Sequence, residues 1–211
     1  MTQKKSIKIG IMGGTFDPIH NGHLVTAEEA LVQFKLDKVI FVPAGQPPHK
    51  EVRKSLDSVE RYLMTVIATA SNPDFEVSKI EIDKEGPSYT IDTVREFREI
   101  YGDEAEIYFI TGADAILEII TWRDAKKLAK MCKFIAATRP GYCLKKFKEL
   151  HVIPNENKEP EPGKLKVYIM EIPALAISST DIRHRVLHGY SIKYLMPEGV
   201  ANYVLKRKFY R

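Results

Sequence analysis

The chain has 211 residues, 44% hydrophobic and 28% charged, enough to bury a substantial core but short for two full domains, so one domain over residues 1–211 is expected. With 32 basic and 28 acidic residues the net charge is +4, too mild for the dense basic stripe of a nucleic-acid binder. No run of eighteen apolar residues and no signal-peptide core is present, so neither a membrane span nor export is expected and the chain reads as cytoplasmic.

The first apolar run, Ile7 to Met12, leads into Gly13-Gly14-Thr15-Phe16-Asp17-Pro18-Ile19-His20-Asn21-Gly22-His23-Leu24. Glycines there let a phosphate approach the backbone, and the amides opening the next helix offer donors at a positive dipole end. His20 and His23, three residues apart, share one helical face and suit phosphate oxygens on which charge is building. Leu24, Ala27, Leu31 and Phe34 continue as an apolar helical stripe, followed by a strand over Lys38 to Val42. That strand ends Phe41-Val42-Pro43-Ala44 without an acidic residue, and the first loop lacks the three-glycine spacing, which disfavours a nicotinamide dehydrogenase.

Pro47-Pro48-His49-Lys50 reads as a stiff loop. Val59, Leu63, Val66, Ile67 and Ala70 form a second apolar stripe, expected to face a sheet. Further strands are expected at Phe75 to Ile82, Glu106 to Thr111, Lys133 to Ala137 and Lys166 to Ile172, with helical patterns between most of them. The alternation argues for an α/β fold with a parallel sheet, and ligands in such sheets bind beyond the carboxyl ends of the strands where strand order reverses. Thr111-Gly112-Ala113-Asp114 is a second loop of that kind.

Thr90 stands where an N-cap is wanted for a helix beginning at Ile91. Cys132 and Cys143 have no cysteine neighbour at metal-site spacing and read as reduced, partly buried thiols. The Pro- and Glu-rich stretch from Pro154 to Gly163 reads as an exposed loop. From Ser178 onward the chain looks helical, with Pro197 placed to open the final helix. His184 and His188 have metal-compatible spacing but lack a third ligand. The terminal Lys206-Arg207-Lys208-Phe209-Tyr210-Arg211 reads as a solvated helix end.

The stretch Gly13 to Leu24 resembles the first signature of the nucleotidylyltransferase superfamily, and Ile177-Ser178-Ser179-Thr180-Asp181-Ile182-Arg183 resembles its second. Three more stretches resemble one branch of it, bacterial nicotinate-nucleotide adenylyltransferase: Pro47 to Lys50, Gly86-Pro87-Ser88-Tyr89-Thr90-Ile91-Asp92-Thr93, and Thr111 to Asp114 followed by Thr121-Trp122. The likeness runs from residue 7 to about 205. It implies a Rossmann-like doubly wound parallel sheet, the nucleotidylyltransferase fold, with a helical C-terminal segment.

The resemblance also implies a reaction. The phosphate of nicotinate mononucleotide attacks the α-phosphorus of ATP in line, giving nicotinate adenine dinucleotide (deamido-NAD) and pyrophosphate. His20, His23 and Arg183 are then the catalytic residues. Gly13 and the amides of Gly14, Thr15 and Phe16 join the histidines on the ATP phosphates, with Ser179, Thr180 and Arg183 clamping from the other side. Gly112, Asp114 and Arg139 fall on the adenosine side. Lys50, Thr90, Asp114 and Trp122 fall on the mononucleotide, Trp122 stacking on its ring; a lone tryptophan is otherwise more often core. Arg183 makes independent sense, because a guanidinium grips two phosphate oxygens at once.

The expected partners are ATP and nicotinate mononucleotide, with no nucleic acid, no membrane, and a homo-oligomer left open. Mg²⁺ is expected to be bound mainly through the ATP phosphates, with no dedicated protein metal site. Pantetheine-phosphate adenylyltransferase shares the first signature but lacks the Gly86 to Thr93 and Trp122 features, and the inner motifs do not suggest a glycerol-phosphate cytidylyltransferase. Lys130-Met131-Cys132-Lys133 faintly resembles the second signature of class I aminoacyl-tRNA synthetases, but it bridges a helix end and a strand. A nucleotide sensor without turnover would keep the fold and not need His20, His23 and Arg183.

Overall fold

The computed structural model describes residues 6–46, 55–119, 122–139, 152–153, 167–173 and 176–211. Among these residues seven strands form one sheet in the order β3-β2-β1-β4-β5-β7-β6, and every pairing between them is parallel. The strands are β1 (Lys8–Gly14), β2 (Lys38–Pro43), β3 (Phe75–Val77), β4 (Glu106–Gly112), β5 (Lys133–Thr138), β6 (Val152–Ile153) and β7 (Val167–Glu171). The helices are α1 (Asn21–Gln33), α2 (Ser58–Thr69), α3 (Thr90–Tyr101), α4 (Ala113–Leu117), α5 (Ala125–Met131), α6 (Ser179–Leu187) and α7 (Glu198–Arg207).

The period of two along each strand divides the interior between the two faces. Met12, Phe41, Ile110 and Ile135 enter a core shared with α1, α2, α6 and α7. Their neighbours Ile11, Ile40, Phe109 and Phe134 enter the opposite core with α3, α4 and α5. Both faces are therefore covered, which is why these strands read as continuous apolar runs rather than alternating ones. This is a Rossmann-like doubly wound sheet. Strand order reverses between β1 and β4, so the crevice beyond Gly14 and Gly112 is the switch point at which such folds hold ligands. Among the described residues no helix is long and apolar enough to cross a membrane.

Two expectations need correction. Most of the α2 stripe is turned the other way: Val59, Leu63, Val66 and Ala70 are exposed and only Ile67 packs on the core, while Arg61, Met64, Thr65, Ala68 and Thr69 are buried. Asp57 caps α2 by accepting from the Val59 amide, and the guanidinium of Arg61 is held inside by backbone carbonyls. The Thr65 and Thr69 hydroxyls donate to carbonyls one turn back, so their burial leaves no donor orphaned. The third strand is also shorter than Phe75 to Ile82. Past Val77 the Ile82 and Asp83 amides turn back onto the Lys79 carbonyl, carrying the chain away from the sheet.

Candidate active site

β1 ends at Gly14 and α1 begins at Asn21, so the six residues between them lie at the switch point. Gly14 is required for packing: a Cβ there would stand 2.8 Å from the Phe16 ring, and Phe16 itself is buried with a left-handed φ of 50°. His20 occupies the N-cap of α1. Its amide donates to Nδ1 of His23 over 3.2 Å, which leaves the neutral His23 ring its proton, and its donor, on Nε2. The two rings stack with centroids 3.7 Å apart, and Phe16 packs against His23 edge to face. Gly22 leaves room for this pair, since a Cβ there would lie 3.1 Å from Nδ1 and Cε1 of His20.

Burial holds the His20 imidazole down to about 4. Burial, with a contribution from His20, holds His23 down to about 3. Both rings are therefore neutral near pH 7. His20 Nδ1 is buried and has no hydrogen-bond partner among the described residues. Such a nitrogen is costly until an external group meets it.

The second signature, far along the chain at Ile177 to Arg183, closes on the first. Ser178 caps α6 by accepting from the Asp181 amide. The Ser179 hydroxyl donates to the Pro18 carbonyl over 2.9 Å. Arg183 sends Nη1 to the Asp17 carbonyl over 2.7 Å and Nη2 to the Thr180 hydroxyl over 3.2 Å. In this structure the Ser179 and Thr180 side chains each make a contact within the protein, and both hydroxyls keep further hydrogen-bonding capacity beside the α6 backbone start.

A cleft of about 410 Å³ opens here. His20, Gly22 and His23 line one wall, Gly112, Asp114 and Arg139 another, and Ile172 and Ile177 the approach from β7 to α6. A Cβ on Gly112 would meet nothing within 4 Å, in keeping with its place at the open mouth. Gly13, Gly14, Thr15 and Phe16 form the turn leading to that wall.

Thr90 is the first residue of α3 and Tyr89 is the N-cap, so Thr90 does not cap the helix as the sequence suggested. Trp122 is half-buried and meets Phe109 edge to face at 5.9 Å, neither wholly core nor free. Arg123, which the motifs did not flag, lies over the Tyr89 ring at 4.6 Å and ties the Thr90 and Trp122 segments together. Lys50 and the rest of Pro47 to Lys50 lie outside the described residues, as do Thr121, Cys143 and the whole Pro154 to Gly163 stretch.

Sequence reasoning also missed Arg61 and Tyr210. Arg61 is 1% exposed and donates to the carbonyls of Thr15 at 2.7 Å, Ala44 at 2.6 Å, Leu56 at 3.1 Å and Gly45 at 3.3 Å. It joins the loop after β1 to the loop after β2. The only available signal was its spacing from Met64, Thr65 and Ala68 on one helix face. The terminal run is only partly a solvated end: Lys206, Arg207, Lys208 and Arg211 are exposed, but Phe209 and Tyr210 pack against the core. His184 and His188 stand on the exposed surface of α6, with His188 Nδ1 against the His184 carbonyl. Among the described residues no three His, Cys, Asp or Glu side chains cluster as for a metal ion.

The cytidylyltransferase-like family matches residues 11–185. A Thermoanaerobacter sp. (strain X514) protein named "Probable nicotinate-nucleotide adenylyltransferase" is 55% identical over 99% of this chain and 96% of its own length. A Moorella thermoacetica protein of the same name is 58% identical over 97% and 92%. Among solved structures, a Plasmodium falciparum nicotinic acid mononucleotide adenylyltransferase complexed with NaAD superposes with a TM-score of 0.73 at 21% identity, covering 97% of each chain.

Proposed function

Because the chain belongs to the nicotinate-nucleotide adenylyltransferase family, we propose that it transfers the adenylyl group of ATP to nicotinate mononucleotide, forming deamido-NAD and pyrophosphate. The observation that carries the reading is the meeting of the two signatures at the switch point: His20 and His23 stack where the loop enters α1, and Arg183 grips the Asp17 carbonyl of the same loop. The neutral, desolvated imidazoles and the buried, unpartnered His20 Nδ1 are groups that an incoming phosphate would satisfy.

In this reading ATP lies along the cleft with its phosphates over the Gly13 to Phe16 turn, His20, His23 and the backbone start of α6. Gly112, Asp114 and Arg139 face its adenosine. The mononucleotide lies toward Thr90 and Trp122, with Asp114 between the two nucleotides and Lys50 assigned to its phosphate. A phosphate oxygen of the mononucleotide forms the new bond to the ATP α-phosphorus as the bond to the bridging oxygen breaks, and pyrophosphate takes the electron pair. The nucleophile is already anionic, so no protein nucleophile or base is needed. Catalysis is placement and charge stabilisation.

His23 Nε2–H and the Arg183 guanidinium stabilise charge on the departing pyrophosphate. Mg²⁺, carried in and coordinated mainly by the ATP phosphates, would neutralise further charge.

The test is stereochemical. With ATP made chiral at the α-phosphorus, deamido-NAD with inverted configuration is expected from one in-line displacement. Retention would require a covalent intermediate and contradict the mechanism, and absence of the product would contradict the function.

A further inference from the structure

The turn from Gly13 to Pro18 makes no secondary-structure ladder of its own past Gly14, yet the proposed chemistry needs its amides fixed. Three of its attachments come from residues already described: Arg61 on the Thr15 carbonyl, Arg183 on the Asp17 carbonyl and Ser179 on the Pro18 carbonyl. A further one comes from Tyr210, close to the C-terminus. The Tyr210 hydroxyl donates to Oδ1 of Asp17 over 2.6 Å, and Asp17 is 5% exposed.

The chain is bent to make this contact. Lys208 ends α7 with φ 56°, and Tyr210 itself has φ 63°. Non-glycine residues are held in the left-handed region only where the surroundings over-determine them. Those surroundings are visible: Phe209 packs edge to face on Tyr203 at 5.9 Å, and Arg207 pairs with Glu60 of α2. Glu60 also accepts from the Tyr203 hydroxyl. The C-terminal turn is thus strapped to α2, the helix whose Arg61 holds the other side of the same loop.

We propose that Tyr210 is a positioning residue and that the C-terminal turn acts as a strap, fixing the Asp17 side chain and with it the phosphate-facing backbone of residues 13–18. The proposal rests on the adenylyl-transfer reading only in assigning ATP phosphates to that backbone. Burial, followed by the Asp17 charge, pushes the Tyr210 phenol up, so it stays a donor throughout the neutral range. It touches no substrate; it acts through Asp17.

Tyr210→Phe removes the hydroxyl and keeps the ring packing. The expected result is a kcat about tenfold lower, in line with the cost of displaced reacting groups, at an unchanged KM for nicotinate mononucleotide, with a thermal midpoint lowered by only a few degrees, the cost of leaving one buried carboxylate oxygen without its donor. Amide hydrogen exchange at residues 13–17 of the ligand-free variant should be faster than in the wild type. A wild-type kcat overturns the proposal, and so does a lowered kcat with unaltered exchange. A lowered thermal midpoint with unaltered kcat assigns Tyr210 a purely structural part and overturns it as well. If the wild type itself forms no deamido-NAD, the functional reading fails, while exchange, which needs no substrate, still decides the strap: faster exchange in Tyr210→Phe supports it and unchanged exchange refutes it.

Discussion

Replacing Arg61 by methionine keeps most of the buried volume and removes every donor. In the structure its guanidinium serves the carbonyls of Thr15, Ala44 and Leu56 at 2.6 to 3.1 Å, with Gly45 further off at 3.3 Å. Hydrogen bonds to a charged group contribute about 1.5–3 kcal/mol each, and a buried carbonyl left unsatisfied costs about 1–3 kcal/mol. Summing three such losses would overstate the effect, because the variant no longer desolvates a cation. Burial lowers the Arg61 guanidinium below its usual range despite Asp17 nearby, a sign that desolvation is substantial. The net loss should be about 2–4 kcal/mol, a sizeable part of the 5–15 kcal/mol typical of a folded domain. Arg61→Lys should lose about half of that, since one ammonium cannot reach carbonyls on three separate segments. Urea unfolding at pH 7 measures both. A loss under about 1 kcal/mol in Arg61→Met would show that solvent or a neighbouring donor replaces the guanidinium, and would refute the claim that it braces these loops.

The histidine pair predicts acid lability. Unfolded histidines titrate near 6.5, whereas His20 and His23 are held to about 4 and about 3 in the fold. Between those values the unfolded chain binds more protons, so the stability the two rings contribute is fully present above about pH 6.5 and is lost as pH falls toward 4 and below. Between pH 7 and 5 the loss should be about 2 kcal/mol per ring, read from urea midpoints; a flat profile that His23→Gln does not alter would contradict it. Gly22→Ala should leave stability almost unchanged, because the gain in helix propensity of about 1 kcal/mol offsets crowding of a His20 ring already stacked on His23. Its kcat should nevertheless fall, and wild-type turnover would remove the ring's placement from the mechanism. His23→Ala and Arg183→Ala should each lower kcat about a hundredfold or more, and near-normal turnover in the folded variants would strike them from the catalytic set. Trp122→Ala should chiefly raise KM for the pyridine mononucleotide, and an equal rise for ATP would count against ring stacking.

The parts of the fold that local pattern determines were legible from the sequence. Continuous β-branched runs separated by helical stripes gave the parallel sheet, and glycines at a strand-to-helix junction marked the switch-point loop. The orientation of α2 was not legible, because Leu63 and Val66 offer as good an apolar stripe as Met64 and Ala68. The choice between them is made by carbonyls of Thr15 and Ala44, which no periodicity reveals. The same holds for Ser179, whose hydroxyl meets Pro18 across 161 positions, and for Tyr210, which sits behind three basic residues and looks solvated until the chain end is seen folded against Asp17. Long-range pairing of polar groups to backbone carbonyls leaves no mark on composition. It is also what holds the loop that the signatures advertise.

The account stands or falls on what the cleft joins. The purified protein would be incubated with Mg-ATP and, in separate reactions, nicotinate mononucleotide, nicotinamide mononucleotide or phosphopantetheine, with pyrophosphate quantified and the adenylylated product identified by mass. The expected result is turnover chiefly with nicotinate mononucleotide and deamido-NAD as the product. Preferred turnover with another acceptor would keep the phosphate chemistry and overturn the assigned substrate, and pyrophosphate release with none of the three would contradict adenylyl transfer itself.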